Sequence, residues 1–369
     1  PSITALARQP DGATLIGGGF VRPGSTMRNL VRVAPSGAFD LGYDPAPNGQ
    51  VGAIVVGATG ESYVSGVFST IGGLNRNGLA RLNLDGSADA GFNASLNCRT
   101  SGPALYLAPD GLVVGGCFTS INSVARNRLA KVSLTTGTVD PIWDPNAGSS
   151  VSAIAVDATG SLYVGGSFAT MGGLARNRLA KISGSGTGAV DSNWVADANS
   201  TVRALLVASD QSLYAGGFFS TIAGVARRGL AKLSTTAPAA LSTWNPAGNY
   251  FNTIYALAEG QDGSIYAGGS FLNSGGLYRS NAVKLSPTTA QADPGWNPSF
   301  DAPVYALLVG YGPTQVAVRN PMVEQNIAFG GDFEFSGATE IPGFAAINSV
   351  SVPSDALFCA GFENGSCGF

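Results

Sequence analysis

The amino-acid sequence predicts an all-β protein, a seven-bladed β-propeller built from four-stranded repeats of about 50 residues. Three observations predict this fold: a recurring Gly-Gly-x-Phe segment, a composition rich in glycine and poor in charge, and strand-like stretches joined by turn residues. The segment recurs seven times, as Ser-Gly-x-Phe in the second copy, and ends at Phe20, Phe68, Phe118, Phe168, Phe219, Phe271 and Phe333. Radial closure flanks each sheet with two neighbours and removes most exposed strand edges.

An open β-solenoid is the alternative architecture, because stacked repeats also give a periodic sequence. Solenoid turns are usually shorter than about 50 residues, and a solenoid needs atypical capping copies at its ends. The first copy of this chain is not atypical. The propeller is therefore the prediction.

Each repeat divides into four elements. The first strand begins 17 residues before the phenylalanine in the first six copies, as at 151–156. A turn such as Asp110-Gly111 then leads into the second strand, since Asp-Gly is a strong hairpin signal. The third strand carries Arg-Asn-x-Leu-Ala-Lys, as from Arg126 to Lys131, and the fourth element carries Asp-x-x-Trp.

Three columns of the repeat recur with the same period. The tryptophans are expected to fill the space between adjacent sheets. The arginines are expected to pair with the aspartates that precede the aromatic residues, and the alternative is a cationic ring around a channel that could hold an anionic ligand. The columns contain Trp143, Trp194, Trp244 and Trp296; Arg76, Arg126, Arg176, Arg227 and Arg279; and Asp89, Asp140, Asp191 and Asp293.

The repeats define the expected domain organisation. We expect one domain, 1–369, with blades at roughly 1–48, 49–98, 99–148, 149–199, 200–250, 251–301 and 302–369.

The seventh copy breaks the pattern by an insertion within 310–328 and by a C-terminal tail at 355–369 that completes the last blade. Alternation in the insertion predicts an extra edge strand able to pair with another molecule, and a decorative loop is the alternative. The candidate interaction residues are Tyr311, Gln315, Arg319 and Glu324.

The four cysteines form two close pairs, Cys98 with Cys117 and Cys359 with Cys367. Their surroundings lack the Cys-x-x-Cys spacing of zinc or redox sites, so two local disulfides are favoured over free thiols. Disulfides together with low charge indicate an oxidising compartment. The chain opens directly in repeat sequence, and we expect that any signal peptide has been removed.

The stretch Leu79-Ala-Arg-Leu-Asn-Leu-Asp-Gly-Ser-Ala-Asp-Ala-Gly-Phe92 resembles the signature of the delta-60 repeat family of bacterial surface and secreted proteins. The resemblance implies a β-propeller-like fold and export, and it transfers no catalytic residue. Where delta-60 copies usually carry phenylalanine, this chain mostly has tryptophan. The segment 355–363 is also similar to a short tail of secreted proteins from some proteobacteria.

Composition excludes several functions. The chain has no histidine, which removes Ser-His-Asp and Cys-His catalysis and histidine-ligated metals. A net charge of −3 argues against nucleic acid as a partner, and no apolar run approaches the length of a membrane span. No calcium site is predicted, because no loop has the oxygen-ligand spacing of such a site. No other metal, no cofactor and no catalytic residue is predicted.

Two functions of different class are left. The first is a non-enzymatic extracellular or cell-surface propeller that binds a protein or glycan, or assembles with copies of itself through the seventh blade. The second is a polysaccharide hydrolase or lyase with two carboxylates in the central funnel. Glu61 and Glu259 are the acids outside the repeat columns that would serve it.

Overall fold

The computed structural model describes residues 2–21, 28–100, 102–241, 243–246, 251–311 and 325–333, with the strands at 335–336, 339–340, 344–348 and 357–358. All regular structure in these ranges is β-strand. Within them, no helix is long and apolar enough to cross a membrane. The fold is a β-propeller, as the sequence predicts.

The described residues form seven antiparallel sheets, one for each predicted repeat, numbered here as sheets 1 to 7. In chain order their strands are Ser2–Arg8, Thr14–Val21 and Arg28–Val33; Val51–Val56, Ser62–Gly66 and Leu79–Leu82; Ala104–Ala108, Gly111–Gly115 and Leu129–Val132; Val151–Val156, Ser161–Gly166 and Leu179–Ser183; Val202–Val207, Ser212–Gly217 and Leu230–Ser234; Phe251–Glu259, Ile265–Phe271 and Ala282–Leu285; and Val304–Tyr311, Gln325–Gly331, Phe344–Asn348 and Leu357–Phe358.

The first strand of each sheet, called the inner strand below, contacts the inner strand of the next sheet. The inner strand of sheet 7 contacts that of sheet 1, so the contacts run around a ring. Inner strands therefore surround a central channel.

The prediction of four-stranded repeats is wrong for sheets 1 to 6. Their fourth element forms a single isolated bridge to the third strand, as between Val132 and Val139. The Asp-x-x-Trp segment beyond it is folded as a turn, because Asp140 Oδ1 accepts hydrogen bonds from the main-chain N–H groups of Ile142 and Trp143. An aspartate that binds its own following backbone in this way competes with a strand ladder.

Short hairpins follow the Gly-Gly-x-Phe segments, and sequence reasoning did not predict them. In sheet 2 the hairpin turns at Gly72 and Gly73, whose φ angles are 57° and 81°. Two consecutive positive φ angles favour glycine at both positions. Six such hairpins occur among the described residues: Thr70–Ile71 with Leu74–Asn75, Ser120–Ile121 with Val124–Ala125, Thr170–Met171 with Leu174–Ala175, Thr221–Ile222 with Val225–Ala226, Asn273–Ser274 with Leu277–Tyr278, and Phe335–Ser336 with Thr339–Glu340.

Close contact between neighbouring sheets explains the first glycine of Gly-Gly-x-Phe. A Cβ atom on Gly17 would lie 2.7 Å from Val51 Cγ1, in the inner strand of the next sheet. The same contact joins sheets 7 and 1, since a Cβ atom on Gly330 would lie 2.5 Å from Ile3 Cγ2. Only glycine leaves room for the neighbouring β-branched side chain, so this residue sets the approach of the sheets.

The predicted role of the tryptophans is confirmed. Trp143 is buried in a cluster that joins Leu129 of sheet 3 to Val164 of sheet 4. Its Nε1–H donates to the carbonyl oxygen of Ser183 in sheet 4, at 3.1 Å. Trp194 and Trp244 donate in the same way to the next sheet, and an indole that finds an acceptor can be buried at low cost.

The predicted pairing of the arginines with aspartate carboxylates is wrong. Arg126 Nη2 donates to the main-chain carbonyl of Asp140 at 2.7 Å, not to its carboxylate. Three other arginines of the column make the same bond to an aspartate main-chain carbonyl: Arg76 to Asp89, Arg176 to Asp191 and Arg279 to Asp293. Arg227 instead donates to the main-chain carbonyl of Leu241. The carboxylates of Asp89, Asp140, Asp191 and Asp293 instead accept main-chain N–H groups two residues further on.

A further column, the lysine column, ends the Arg-Asn-x-Leu-Ala-Lys segment and its variants at Lys131, Lys181, Lys232 and Lys284, and it links neighbouring sheets. Lys131 is 2% exposed, and its Nζ donates to Asp110 Oδ2 and to the carbonyl of Gly184 in the next sheet, both at 2.7 Å. Lys232 makes the equivalent bonds to Asp210 and to the carbonyl of Pro287. Among the described residues, no lysine or arginine of these columns lines the cavity at the mouth of the channel, so this cavity gives no support to a cationic ring formed by the columns.

Candidate ligand-binding site

A cavity of about 450 Å³ opens at one mouth of the central channel, where the inner strands begin. It is called the channel cavity below. Its volume lies in the range of small-molecule sites. The lining draws on all seven sheets and consists of Ser2, Thr4, Gln50, Gly52, Thr100, Gly102, Pro103, Gly116, Ser150, Val151, Ser152, Arg203, Tyr255 and Tyr305.

A β-bulge in the inner strands supplies the principal lining residues. In sheet 4, Val151 pairs with Gly166 and Ala153 pairs with Gly165, so Ser152 between them has no partner across the ladder. The same shift occurs in sheets 1, 2, 5, 6 and 7. A bulge releases one residue from the alternation of a strand and re-aims its side chain, here toward the channel cavity.

The bulge positions carry different residue types in most sheets. In sheet 3 the ladder starts two residues later, at Ala104, and Pro103 occupies the equivalent position before it. The preceding position is mostly valine or isoleucine and the following one is alanine, whereas the bulge positions are Thr4, Gly52, Pro103, Ser152, Arg203, Tyr255 and Tyr305. The residues on either side of the bulge are thus nearly uniform, whereas the bulge residue, which lines the cavity, varies between sheets.

Sheets 5, 6 and 7 place their bulge residues in one continuous arc. The guanidinium carbon of Arg203 lies 5.7 Å from the ring centroid of Tyr255, a cation–π distance. The rings of Tyr255 and Tyr305 meet edge-to-face, with centroids 5.0 Å apart and an interplanar angle of 66°. Large side chains thus stand on one side of the channel cavity, and small ones on the other.

The tyrosine at the end of the arc is held by an acid outside the lining. Tyr305 donates its hydroxyl hydrogen to Asp332 Oδ2 at 2.8 Å. Burial and the carboxylate of Asp332 raise the pKa of Tyr305 well above its ordinary value. Tyr305 is therefore held as a hydrogen-bond donor to Asp332.

Arg203 gives the channel cavity its charge. It is the one charged residue of the lining, and among the described residues no carboxylate lies within ion-pair distance of it. Its side chain is exposed to the cavity side. An arginine with no anionic partner beside aromatic rings is available to bind an anion or a planar polar group.

Small polar groups form the opposite wall. Thr4 Oγ1 donates to the carbonyl of Val51 at 2.7 Å, which links the inner strands of sheets 1 and 2. Gln50 Nε2 donates to Thr4 Oγ1 at 3.4 Å. Hydroxyl groups of Ser150 and Ser152 continue the wall. This wall offers several neutral donors and acceptors to a ligand.

The disulfide predicted between Cys98 and Cys117 is present and lies beside the cavity. Cys117 directly follows Gly116, and Cys98 stands two residues before Thr100, both lining residues. Sheet 3 has no ladder pairing before Ala104. The disulfide therefore anchors the segment that leads into the inner strand of sheet 3, which is not held by strand pairing.

The two acids considered for catalysis lie away from the channel cavity. Glu61 stands in the turn after the inner strand of sheet 2 and accepts a hydrogen bond from Thr59 Oγ1 at 2.5 Å. Glu259 ends the inner strand of sheet 6, four residues or roughly 13 Å beyond Tyr255. It accepts hydrogen bonds from the main chain and hydroxyl of Ser209. Both serve turns between strands.

Two predicted features fall mainly outside the described residues. Tyr311 ends the inner strand of sheet 7 and pairs with Gln325. Gln315, Arg319 and Glu324 lie outside the described residues, as do Cys359 and Cys367. Among the described residues, no group of three or more histidine, cysteine, aspartate or glutamate side chains is arranged to hold a metal ion.

Fold and site together define a class: a β-propeller with a ligand-sized cavity at one mouth of its channel. Three segments, 47–92, 108–141 and 260–288, match the profile of a family described as a domain of unknown function, DUF5122, β-propeller. These segments cover well under half of the chain. A comparison with curated proteins finds no match.

Solved structures with the same fold are similar at low sequence identity. The extracellular domain of a protein assigned as a one-component system of B. thetaiotaomicron aligns with a TM-score of 0.57 at 15% identity, over 96% of this chain and 40% of that one. Virginiamycin B lyase from Staphylococcus aureus aligns with a TM-score of 0.55 at 14% identity, over 89% of this chain and 92% of that one. A hybrid two-component system of B. thetaiotaomicron aligns through its extracellular domain with a TM-score of 0.51 at 11% identity, over 95% of this chain and 40% of that one. These similarities establish the propeller fold.

Proposed function

We propose that this protein is a non-enzymatic propeller that binds a small polar ligand in the channel cavity and works outside the cytoplasm. The observation that carries the proposal is the set of bulge positions. Repeats 1 to 6 each carry a different residue at the bulge position of the inner strand, although an alanine follows it in every copy, and that position faces a cavity of about 450 Å³. Variation at a cavity-facing column of a repeat scaffold is what a binding site requires.

The extracellular setting has three supports. The Cys98–Cys117 disulfide is of a kind that persists in oxidising compartments. The segment 79–92 resembles the delta-60 repeats of surface and secreted bacterial proteins, and it lies inside a segment that matches a β-propeller family. Two of the similar structures are themselves extracellular domains. We therefore propose a secreted or cell-surface protein with delta-60 repeats.

Carboxylate catalysis has less support than binding. A glycosidase needs two carboxyl groups on opposite sides of one bond, yet the lining of the channel cavity has none. The structurally similar lyase offers no alternative, because a variant of that enzyme with histidine replaced by alanine is described as catalytically inactive. This chain contains no histidine at all.

Self-assembly through the insertion at 310–328 stays a separate proposal. Light scattering of the purified protein should detect particles larger than the monomer of 37.2 kDa. Deletion of 311–326 should abolish them. Monomers alone, unchanged by the deletion, would contradict assembly and leave the cavity proposal intact.

Binding is tested by ligand-induced thermal stabilisation of the whole chain. The probes are neutral oligosaccharides, uronic-acid oligosaccharides and short acidic peptides. At least one should raise the Tm, because a ligand that binds only the native state stabilises it by mass action. Tyr255→Ala should abolish that shift, whereas Tyr278→Ala, on an exposed hairpin, serves as the matched control and should not. A panel without any shift, or a shift that survives Tyr255→Ala, would overturn the proposal.

A further inference from the structure

The side chains of the channel cavity also indicate which chemical class of ligand it takes. We infer that the cavity recognises an acidic saccharide, whose carboxylate pairs with Arg203 and whose sugar ring packs against Tyr255. The inference rests on the proposed binding function and makes it more specific. Three features of the site carry it: an unpaired cation, an aromatic arc and a wall of neutral hydroxyl and amide groups.

The cation selects the charge of the ligand. Arg203 is the one charged residue of the lining, and within the described ranges it has no carboxylate partner. A ligand that fills the cavity removes water from this guanidinium, so a neutral ligand would leave the charge poorly compensated. The planar guanidinium can form two parallel hydrogen bonds to one carboxylate.

The aromatic arc provides an apolar surface beside the cation. Tyr255 contacts Arg203 on one side and Tyr305 on the other. Asp332 fixes the hydroxyl of Tyr305, which lies at the end of the arc. A pyranose ring presents C–H groups on one face and hydroxyl groups at its edge, so it can pack on an aromatic ring while its carboxylate reaches Arg203.

The opposite wall matches a polyhydroxylated ligand better than a peptide. Thr4, Gln50, Ser150 and Ser152 present neutral donors and acceptors, which suit sugar hydroxyl groups. Outside the aromatic arc, the apolar residues of the lining are Val151 and Pro103, and both are buried, so this wall offers little apolar surface to a peptide side chain. A Cβ atom on Gly102 would meet no atom within 4 Å, so the lining is open at this residue.

The test compares acids with their methyl esters by isothermal titration calorimetry. The probes are trimers of galacturonate, mannuronate and glucuronate, each with its fully methyl-esterified form, which keeps the ring and removes the charge. At least one acid should bind at least about tenfold more tightly than its ester, as expected for one charge-assisted pair. Arg203→Gln should reduce this ratio to about one. Arg228 is an exposed arginine outside the lining of the channel cavity, so Arg228→Gln should leave the ratio unchanged.

The outcomes separate this inference from the proposed function. Equal affinity for an acid and its ester would overturn the role of the carboxylate. If that affinity still falls in Tyr255→Ala, the proposed binding in the channel cavity is upheld. Binding of only neutral sugars or peptides would overturn the inference that the ligand is an acidic saccharide, and it would leave the proposed binding in the cavity intact. A protein that binds none of the probes in either panel would overturn both. An acid preference that persists in Arg203→Gln would assign recognition to another site.

Discussion

Tyr305 donates its hydroxyl hydrogen to Asp332 across 2.8 Å, and its ring meets that of Tyr255 edge-to-face at 5.0 Å. Tyr305 lies in the inner strand of sheet 7, and Asp332 directly follows the next strand of that sheet. Their bond connects the arc of the channel cavity to a carboxylate outside the lining. This hydrogen bond therefore fixes the hydroxyl group of Tyr305.

This bond gives a spectroscopic prediction. Burial and Asp332 both raise the pKa of Tyr305, and Asp332→Asn removes the second cause. The pKa of Tyr305 should therefore fall in Asp332→Asn, measured by the absorbance of tyrosinate during alkaline titration, with Tyr305→Phe identifying the signal. A titration that Asp332→Asn leaves unchanged would contradict the bond.

Asp157 gives a prediction for acid pH. Its side chain is buried, which by itself raises the pKa, but hydrogen bonds from Thr159, Ser161 and Tyr163 outweigh burial and hold the pKa of Asp157 below its usual range. A carboxylate with a lower pKa in the native than in the unfolded state stabilises the fold fully above the unfolded value of about 3.9, and this contribution is lost as the pH falls through the native value.

Asp157→Asn should consequently destabilise the protein by about 1–3 kcal/mol at pH 7, as expected for charged hydrogen bonds. The difference from the wild type should shrink below about pH 4. Urea unfolding at pH 7 and pH 3 measures both values. An equal difference at the two pH values would show that the ionised carboxylate contributes nothing.

The contact between Gly330 of sheet 7 and Ile3 of sheet 1, which closes the ring, gives a prediction for stability. Its Cβ would lie 2.5 Å from Ile3 Cγ2, so Gly330→Ala should destabilise the protein by about 1–3 kcal/mol through overpacking. Ile3→Ala in the same chain should recover part of that loss, which a double-mutant cycle measures. Gly102→Ala, where a Cβ meets no neighbour, is the control and should change stability little. Additive effects of the two substitutions would contradict the contact between sheets 7 and 1.

The aromatic column predicts a graded series at Trp143. Trp143→Ala should cost about 3–5 kcal/mol, because it empties a site in the cluster between sheets 3 and 4. Trp143→Phe should cost less, since Phe92 occupies the equivalent position between sheets 2 and 3. Chemical denaturation measures the series. Equal losses for the two variants would indicate that the bond to Ser183 outweighs the packing.

Removal of the disulfide should affect both stability and binding. The double variant Cys98→Ser, Cys117→Ser opens a link of sequence separation 19 and should lose about 2–4 kcal/mol. Ligand affinity should fall as well, because Thr100 and Gly116 line the channel cavity beside the two cysteines. Thermal denaturation and calorimetry with the same probe measure the two effects. Full affinity in the variant would exclude a role of the disulfide in holding the cavity.

The sequence by itself determined the repeat, the propeller fold, the disulfide between Cys98 and Cys117 and the place of the tryptophans between sheets. Each of these depends on a local pattern or on contact with an adjacent copy, so the period of the sequence carries it. The same reasoning failed for Arg126, which donates to the main-chain carbonyl of Asp140, while Oδ1 of that carboxylate accepts the main-chain N–H group of Ile142.

Only the tertiary structure decided where a ligand can bind. The sequence pattern indicated the seventh repeat, Glu61 and Glu259 as candidates for function. It did not indicate Arg203, Tyr255 and Tyr305, which stand about 50 residues apart. The signal was present as one variable position between a β-branched residue and an alanine. This position can be recognised as a binding position only in the closed ring, because closure brings the bulge residues of separate repeats to one cavity. No local sequence pattern specifies that these residues lie together.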